Sequence, residues 1–327
     1  MAARAGDRLA VVFGGSGFVG RYAVRAFAKR GWRVRAAVRR PDLAGHLQPA
    51  GVVGQVHAVQ ANLRFADSVR AAVDGATTVV NAVGVLAPVG QQTFDKLHVE
   101  GARAVARAAR EAGAETFVHV SAIGADAASS AQYARTKGEG ERAVLEEFPG
   151  AIILRPSIVF GREDQFFNRF AGLAVSAPFL PLIGGGKTKF QPVFVGDLAD
   201  AIGAAAEGVG NRGAIYELGG PAVLSFRELL DRTQEWAGRK RFYLPLPFWA
   251  AKLQAVLTKP LPTSLRPITV DQVRMLQAGD NVVSAAALAD GRTLAALGVA
   301  TPTPVEAEVP LYLERFRPRG QFSHYRG

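Results

Sequence analysis

The stretch that decides the reading is LAVVFGGSGFVGRYAVRAFAKRG, residues 9–31. Five apolar residues make a short strand. The glycines Gly14, Gly17 and Gly20 follow at G-x-x-G-x-x-G spacing, and then Val24 with Phe27 or Ala28 recurs at helical intervals up to a stop at Gly31. Strand, glycine turn and helix in that order form a phosphate cradle. The first glycine permits the tight turn, the second lets backbone N–H groups approach a pyrophosphate, and the third lets the helix pack close to the strand. The helix N-terminus then points its partial positive charge at the anion.

Working outward, residues 32–38, 53–59, 78–81, 116–121 and 151–155 are also short apolar runs, each followed by helical spacing or a turn. Strands that are apolar throughout are buried on both faces, and strands alternating with helices make a parallel sheet with crossovers. The expected fold class is therefore α/β, a Rossmann doubly wound parallel sheet with a smaller C-terminal lobe. The expected boundaries are a dinucleotide-binding domain over residues 1–160, completed by a return segment near 190–220. A smaller substrate- or partner-facing lobe with a basic tail is expected over 161–327.

The second strand ends in WRVRAAVRRPD. Arg39 and Arg40 stand where a carboxylate would accept ribose hydroxyls, and a guanidinium there forks onto a 2′-phosphate instead. The expected cofactor is NADP(H), with Arg39 the nearer of the two to the strand end. Residues 21–40 carry eight basic residues and no acid, more than one dinucleotide uses. In AQYARTKGEGE, Tyr133 and Lys137 are one helical turn apart on one face. Lys137 is expected to lower the phenol pKa and hold a ribose, leaving Tyr133 to exchange a proton with a substrate oxygen.

Together these features resemble the short-chain dehydrogenase/reductase superfamily. VVNAVGVL, FVHVSAIGA, ILRPSIVFGRED, FQPVFVGDLADAI and the closing YLERFRPRGQF are similar to its atypical, extended branch, which contains the NADPH-binding accessory subunit of respiratory complex I. The resemblance covers nearly the whole chain and is strongest over residues 9–220. It implies that Gly14, Ser16, Gly17, Phe18, Val19 and Gly20 form the phosphate loop, Arg39 selects NADPH and Asn62 meets the adenine edge. It also implies that Ala82 and Val83 lie beneath the dinucleotide, that Tyr133 and Lys137 are the Tyr–Lys pair, and that Pro156 and Ser157 flank the nicotinamide. Active relatives place a Ser or Thr after the fifth strand to bond the substrate carbonyl. Here either Ser121 or Ala122 falls in that position. The implied function is structural, within a proton-pumping NADH:quinone oxidoreductase and on the cytoplasmic face of the bacterial inner membrane, with the complex's other subunits as partners. A free-standing NADP-dependent reductase, dehydrogenase or epimerase, and an NADPH-dependent sensor, are the alternatives.

Composition narrows the rest. The 327 residues are 49% hydrophobic and include no cysteine, which excludes disulfide scaffolds, zinc fingers and thiolate chemistry. A net charge of +11 favours anionic partners. No recognisable nucleic-acid-binding motif accompanies it, so nucleic acid is not expected. His46, His57, His98, His119 and His324 lack ligand spacing and no metal is expected; His119 reads as a core residue. Glu163 and Asp164 read as a loop-fixing salt bridge, and Phe166, Phe167 and Phe170 as core or pocket wall. The first apolar run is too short for a secretory leader, and no stretch reaches the roughly 20 apolar residues of a membrane span. Residues 170–183, with Phe248, Trp249, Leu253 and Leu257, fit either the second lobe's core or a bilayer-facing surface. Lys252, Lys259 and Arg266 nearby suit anionic lipid headgroups.

Overall fold

In a computed structural model, residues 8–258, 268–318 and 320 are described. Lys259, Arg266, His324 and most of the closing basic stretch lie outside them. The chain divides into two compact units. The first comprises Met1–Pro156, Gly196–Leu218 and Ser284–Ala300.

Its centre is a parallel sheet. The strands β1 (Leu9–Phe13), β2 (Arg33–Val38), β4 (Thr78–Asn81), β5 (Thr116–Val120) and β6 (Ile152–Pro156) match the apolar runs read from sequence to within a residue at each end, while β3 (Val56–Gln60) starts three residues later than expected because Val53 lies exposed in the preceding turn. A seventh strand, Ile215–Leu218, pairs with β6, and the spatial order is Ile215–Leu218, β6, β5, β4, β1, β2, β3. All residues of β1 and β4 are buried, as a doubly covered sheet requires. The flanking helices include α1 (Phe18–Lys29), α2 (Ala66–Val73), α3 (Gly101–Glu111) and α4 (Gln132–Glu147). Strand order runs outward from β1 to β3 and then resumes on β1's other side with β4. This reversal opens a crevice at the carboxyl ends of β1 and β4.

The segment Ser284–Ala300, which the sequence reading placed in the second lobe, belongs to this unit. It closes the exposed edge strand: Glu217 N–H donates to Arg292 O at 3.0 Å, and Ser284 N–H donates to the Glu217 carboxylate at 2.7 Å. A covered edge cannot template pairing with another chain.

The second unit comprises Ser157–Val195, Gly219–Val283 and Thr301–Gly327. Its core is aromatic. Phe166 lies 5.1 Å from Phe170, with Phe167, Phe190 and Phe226 in the same cluster, as the core reading of these phenylalanines expects. Helix Phe226–Trp236 starts with a capping box between Ser225 and Glu228. Of the two acids read as fixing the loop, Asp164 does so through hydrogen bonds, with no ion pair among the described residues. It is buried, accepts N–H bonds from Phe166 and Asn168, and receives the Tyr312 hydroxyl. Burial pushes its carboxyl pKa up despite these bonds.

Candidate functional site

The site in the first unit is built on the glycine loop between β1 and α1. Gly14 has φ +76°, a conformation that disfavours any side chain, and a Cβ there would meet Ala82 O at 3.1 Å. Gly17 is exposed at the loop tip and serves as the N-cap of α1 without a side-chain bond. A Cβ on Gly20 would sit 2.1 Å from Gly14 O, so only glycine lets α1 start this close to β1. The result is a backbone-lined hollow at a helix N-terminus with Ala82 and Val83 beneath it. Ser16, Phe18 and Val19 complete the loop and first turn. Arg21, missed from sequence, folds its guanidinium back on Ser16 O and Gly17 O at 3.0 and 3.2 Å, adding positive charge beside the hollow.

The two arginines after β2 part company. Arg40 is tied to Asp42 in an exposed pair at 2.7 Å, which holds its pKa up. Arg39 is exposed and free of any such ion pair among the described residues. Asn62 Oδ1 accepts from Arg64 N–H at 3.2 Å, shaping the turn after β3.

At the carboxyl ends of β4 and β5 lies a dense polar and aromatic cluster. Tyr133 and Lys137 project from α4. The Lys137 ammonium donates to Val120 O at 3.0 Å and sits 3.4 Å from where a Gly84 Cβ would be. Desolvation lowers Lys137 to about 8, opposed by the Glu141 charge. The expected lowering of the Tyr133 phenol does not occur: desolvation pushes it up to about 12, so at neutral pH it is a proton donor. The sequence reading also overlooked His98. A π-helical turn at Asp95–Glu100 carries it into the cluster, a kind of bulge frequent at functional sites. His98 Nε2 accepts from Val85 N–H at 3.2 Å, so its Nδ1 carries the proton and donates to Thr136 Oγ1 at 3.1 Å. Its ring stacks on Phe94 and meets Tyr133 edge-on. Burial, then Lys137, lowers His98 to about 3. His119 is a buried core residue that accepts from Asn81 Nδ2 at 3.2 Å, and its Nε2 has no partner among the described residues.

The position after β5 is resolved by its contacts. Ser121 is present and buried, but its hydroxyl donates to Glu141, one turn beyond Lys137 on α4. Glu141 is also forked by Arg155 at 2.9 and 2.6 Å. Ser121 therefore serves a buried Ser–Glu–Arg network. Pro156 ends β6 in this unit. Ser157 begins the second, where it donates to Asn281 and accepts from Gln191 N–H at 3.1 Å. Among the described residues no cluster of three or more His, Asp or Glu could hold a metal, and no helix is long and apolar enough to cross a membrane.

A parallel seven-stranded sheet with a glycine hollow at its switch point defines a nicotinamide-dinucleotide-binding protein. The NAD dependent epimerase/dehydratase family matches residues 10–219, and the chain belongs to that family. More particularly, it is similar to the NADH dehydrogenase [ubiquinone] 1 alpha subcomplex subunit 9, mitochondrial, of Arabidopsis thaliana. The two are 39% identical over 254 residues, covering 76% of this chain and 62% of the plant protein, less than two thirds of its length. The protein of the same name from Rattus norvegicus is 34% identical over 318 residues, 94% of this chain and 80% of the rat protein. Among solved structures, the NADPH-dependent quinone oxidoreductase QOR2 from Escherichia coli, complexed with NADPH, superposes with a TM-score of 0.71. It is 21% identical and covers 93% of this chain and 99% of its own, a likeness of fold.

Proposed function

We propose that the protein is an NADP(H)-binding accessory subunit of a proton-pumping NADH:quinone oxidoreductase. It docks on that complex's peripheral arm at the cytoplasmic face of a bacterial inner membrane. The observation that carries this reading is an intact dinucleotide cradle beside a serine committed elsewhere: the Gly14–Gly17–Gly20 hollow has room only for backbone, while the Ser121 hydroxyl is held by Glu141. The similarity to the Rattus norvegicus alpha subcomplex subunit 9 protein over 94% of this chain supports the choice of complex.

The loop residues Ser16 to Gly20 would hold the pyrophosphate, Arg39 the 2′-phosphate, Asn62 the adenine edge, and Tyr133 and Lys137 the nicotinamide ribose. Bound NADPH supplies a hydride donor. The chain's own residues bind and enclose it, and a ligand that binds only the folded state stabilises that state by mass action. Affinity purification from membranes, followed by native mass spectrometry, tests the reading. Quinone oxidoreductase subunits should co-isolate and NADP(H) should be released on denaturation. A solitary protein without nucleotide overturns it.

The retained Tyr133–Lys137 pair favours a second reading, a free-standing NADP-dependent reductase or epimerase in which Tyr133 donates the proton. A substrate-dependent change in cofactor absorbance, abolished in Tyr133→Phe, would establish it.

A further inference from the structure

The helix Phe248–Leu257 of the second unit is built inside out. Its buried positions are small: Ala251 and Ala255 are buried, and Ala251 packs in a cluster with Ile183 and Val273, against which the half-buried Phe248 also rests. At about 100° per residue, Trp249, Leu253, Val256 and Leu257 fall on one arc, and all four are exposed, Trp249 by 71% and Leu257 by 70%. A helix whose only polar side chains are Lys252 and Gln254 is expected to have most of its surface enclosed. The preceding strand, Phe242–Leu246, extends the pattern: Phe242 is 86% exposed, and its register partner Phe179 is exposed as well. So many large apolar side chains in one continuous run mark a surface made to be covered.

Charge decides what covers it. Arg239, Lys240 and Arg241 precede the strand in sequence and Lys252 lies on the helix, while the acid that meets the strand, Asp231, accepts the Tyr243 hydroxyl and is paired with Arg227. Three of the cations bond to neutral oxygens: Arg239 to Phe316 O, Arg241 to Ala174 O, and Lys252 to Gln277 Oε1. These contacts orient the side chains, and no carboxylate among the described residues pairs with them. The exposed arc itself offers no hydrogen-bonding group except the Trp249 indole N–H. An apolar arc with an indole, close in sequence to Arg239, Lys240, Arg241 and Lys252, is complementary to the boundary between anionic headgroups and acyl chains. We infer that this face of the second unit lies in the interface of an anionic phospholipid bilayer, with helix Phe248–Leu257 parallel to the membrane plane.

The inference deepens the proposed attachment to a membrane-bound complex and is tested apart from it. The full chain is floated with vesicles of phosphatidylcholine alone, and with vesicles in which roughly a third of the lipid is phosphatidylglycerol. Binding should be about tenfold greater to the anionic vesicles and should fall with added salt. Tryptophan emission should shift to the blue on binding, and Trp249→Phe should bind yet lose the shift. Leu253→Asp should lose about tenfold in binding with an unchanged melting curve. Absence of flotation with both vesicle types, equal binding to both, or full binding by Leu253→Asp would each overturn the inference. Because the vesicles contain no protein, those failures leave co-isolation of oxidoreductase subunits unaffected. Should Leu253→Asp instead release co-isolated subunits while the parent chain ignores vesicles, the face belongs to a protein partner and the lipid assignment is wrong.

Discussion

Two helices of this protein carry opposite solutions to burial. In α1 the side facing the sheet holds Ala23, Val24 and Phe27, all fully buried, while Arg25 and Lys29 face solvent. In helix Phe248–Leu257 the buried positions are alanines, Phe248 packs half-buried against the same cluster, and Trp249, Leu253, Val256 and Leu257 are exposed. The first helix satisfies its apolar face within the chain and presents charge to water. The second leaves its large apolar side chains exposed. Exposure of a hydrophobic residue carries little meaning alone; a whole helical arc of them, on a helix whose buried positions are alanines, is the observation behind the bilayer inference.

The contrast can be broken most severely at Phe27, which is fully buried and 5.5 Å from Trp32. Phe27→Ala should cost about 3–5 kcal/mol, read by urea denaturation. Gly20→Ala comes next. Its new Cβ would overlap Gly14 O, so α1 must move away from β1 at a cost of about 3 kcal/mol, and calorimetry should find nucleotide binding lost. Arg39→Ala should leave the fold intact and weaken NADPH binding about tenfold or more, with NADH little changed, since one charge-assisted contact is removed.

The His98 cluster gives a pH signature that the outward helix lacks. His98 is lowered from 6.5 to about 3 by burial and then by Lys137. Above 6.5 it is neutral whether the chain is folded or unfolded. As pH falls from 6.5 toward 3 the unfolded chain takes a proton that the folded one refuses, so stability drops by about 1.4 kcal/mol per pH unit for this group. Melting temperatures of His98→Gln should fall less steeply over that window. Smallest of all, Trp249→Ala should change stability by no more than about 0.5 kcal/mol, despite removing the largest side chain on its helix. A cost comparable to Phe27→Ala would show that the indole is enclosed in solution and would remove the contrast.

Much of the site was legible beforehand. Gly14, Gly17 and Gly20 could be read because backbone sterics at a tight turn depend on a few consecutive residues, and the strands because double burial leaves an unbroken apolar run. Tyr133 and Lys137 could be paired because helical periodicity is local. Arg39 and Arg40 could be placed at a strand end but not told apart, since the Arg40–Asp42 pair depends on how the turn after β2 closes.

What the sequence by itself determined is the parallel sheet, the phosphate hollow and the Tyr–Lys helix face. Each rests on interactions between neighbours in the chain. Tertiary structure alone decided that Ser121 answers to Glu141, twenty residues on, and that a π-helical turn brings His98 against Tyr133. It also decided that Ser284–Ala300 returns to close the first unit's sheet, and that Trp249 and Leu257 face outward. These depend on which distant segments pack against a given face, and a local pattern of apolar and polar residues does not record what will cover it.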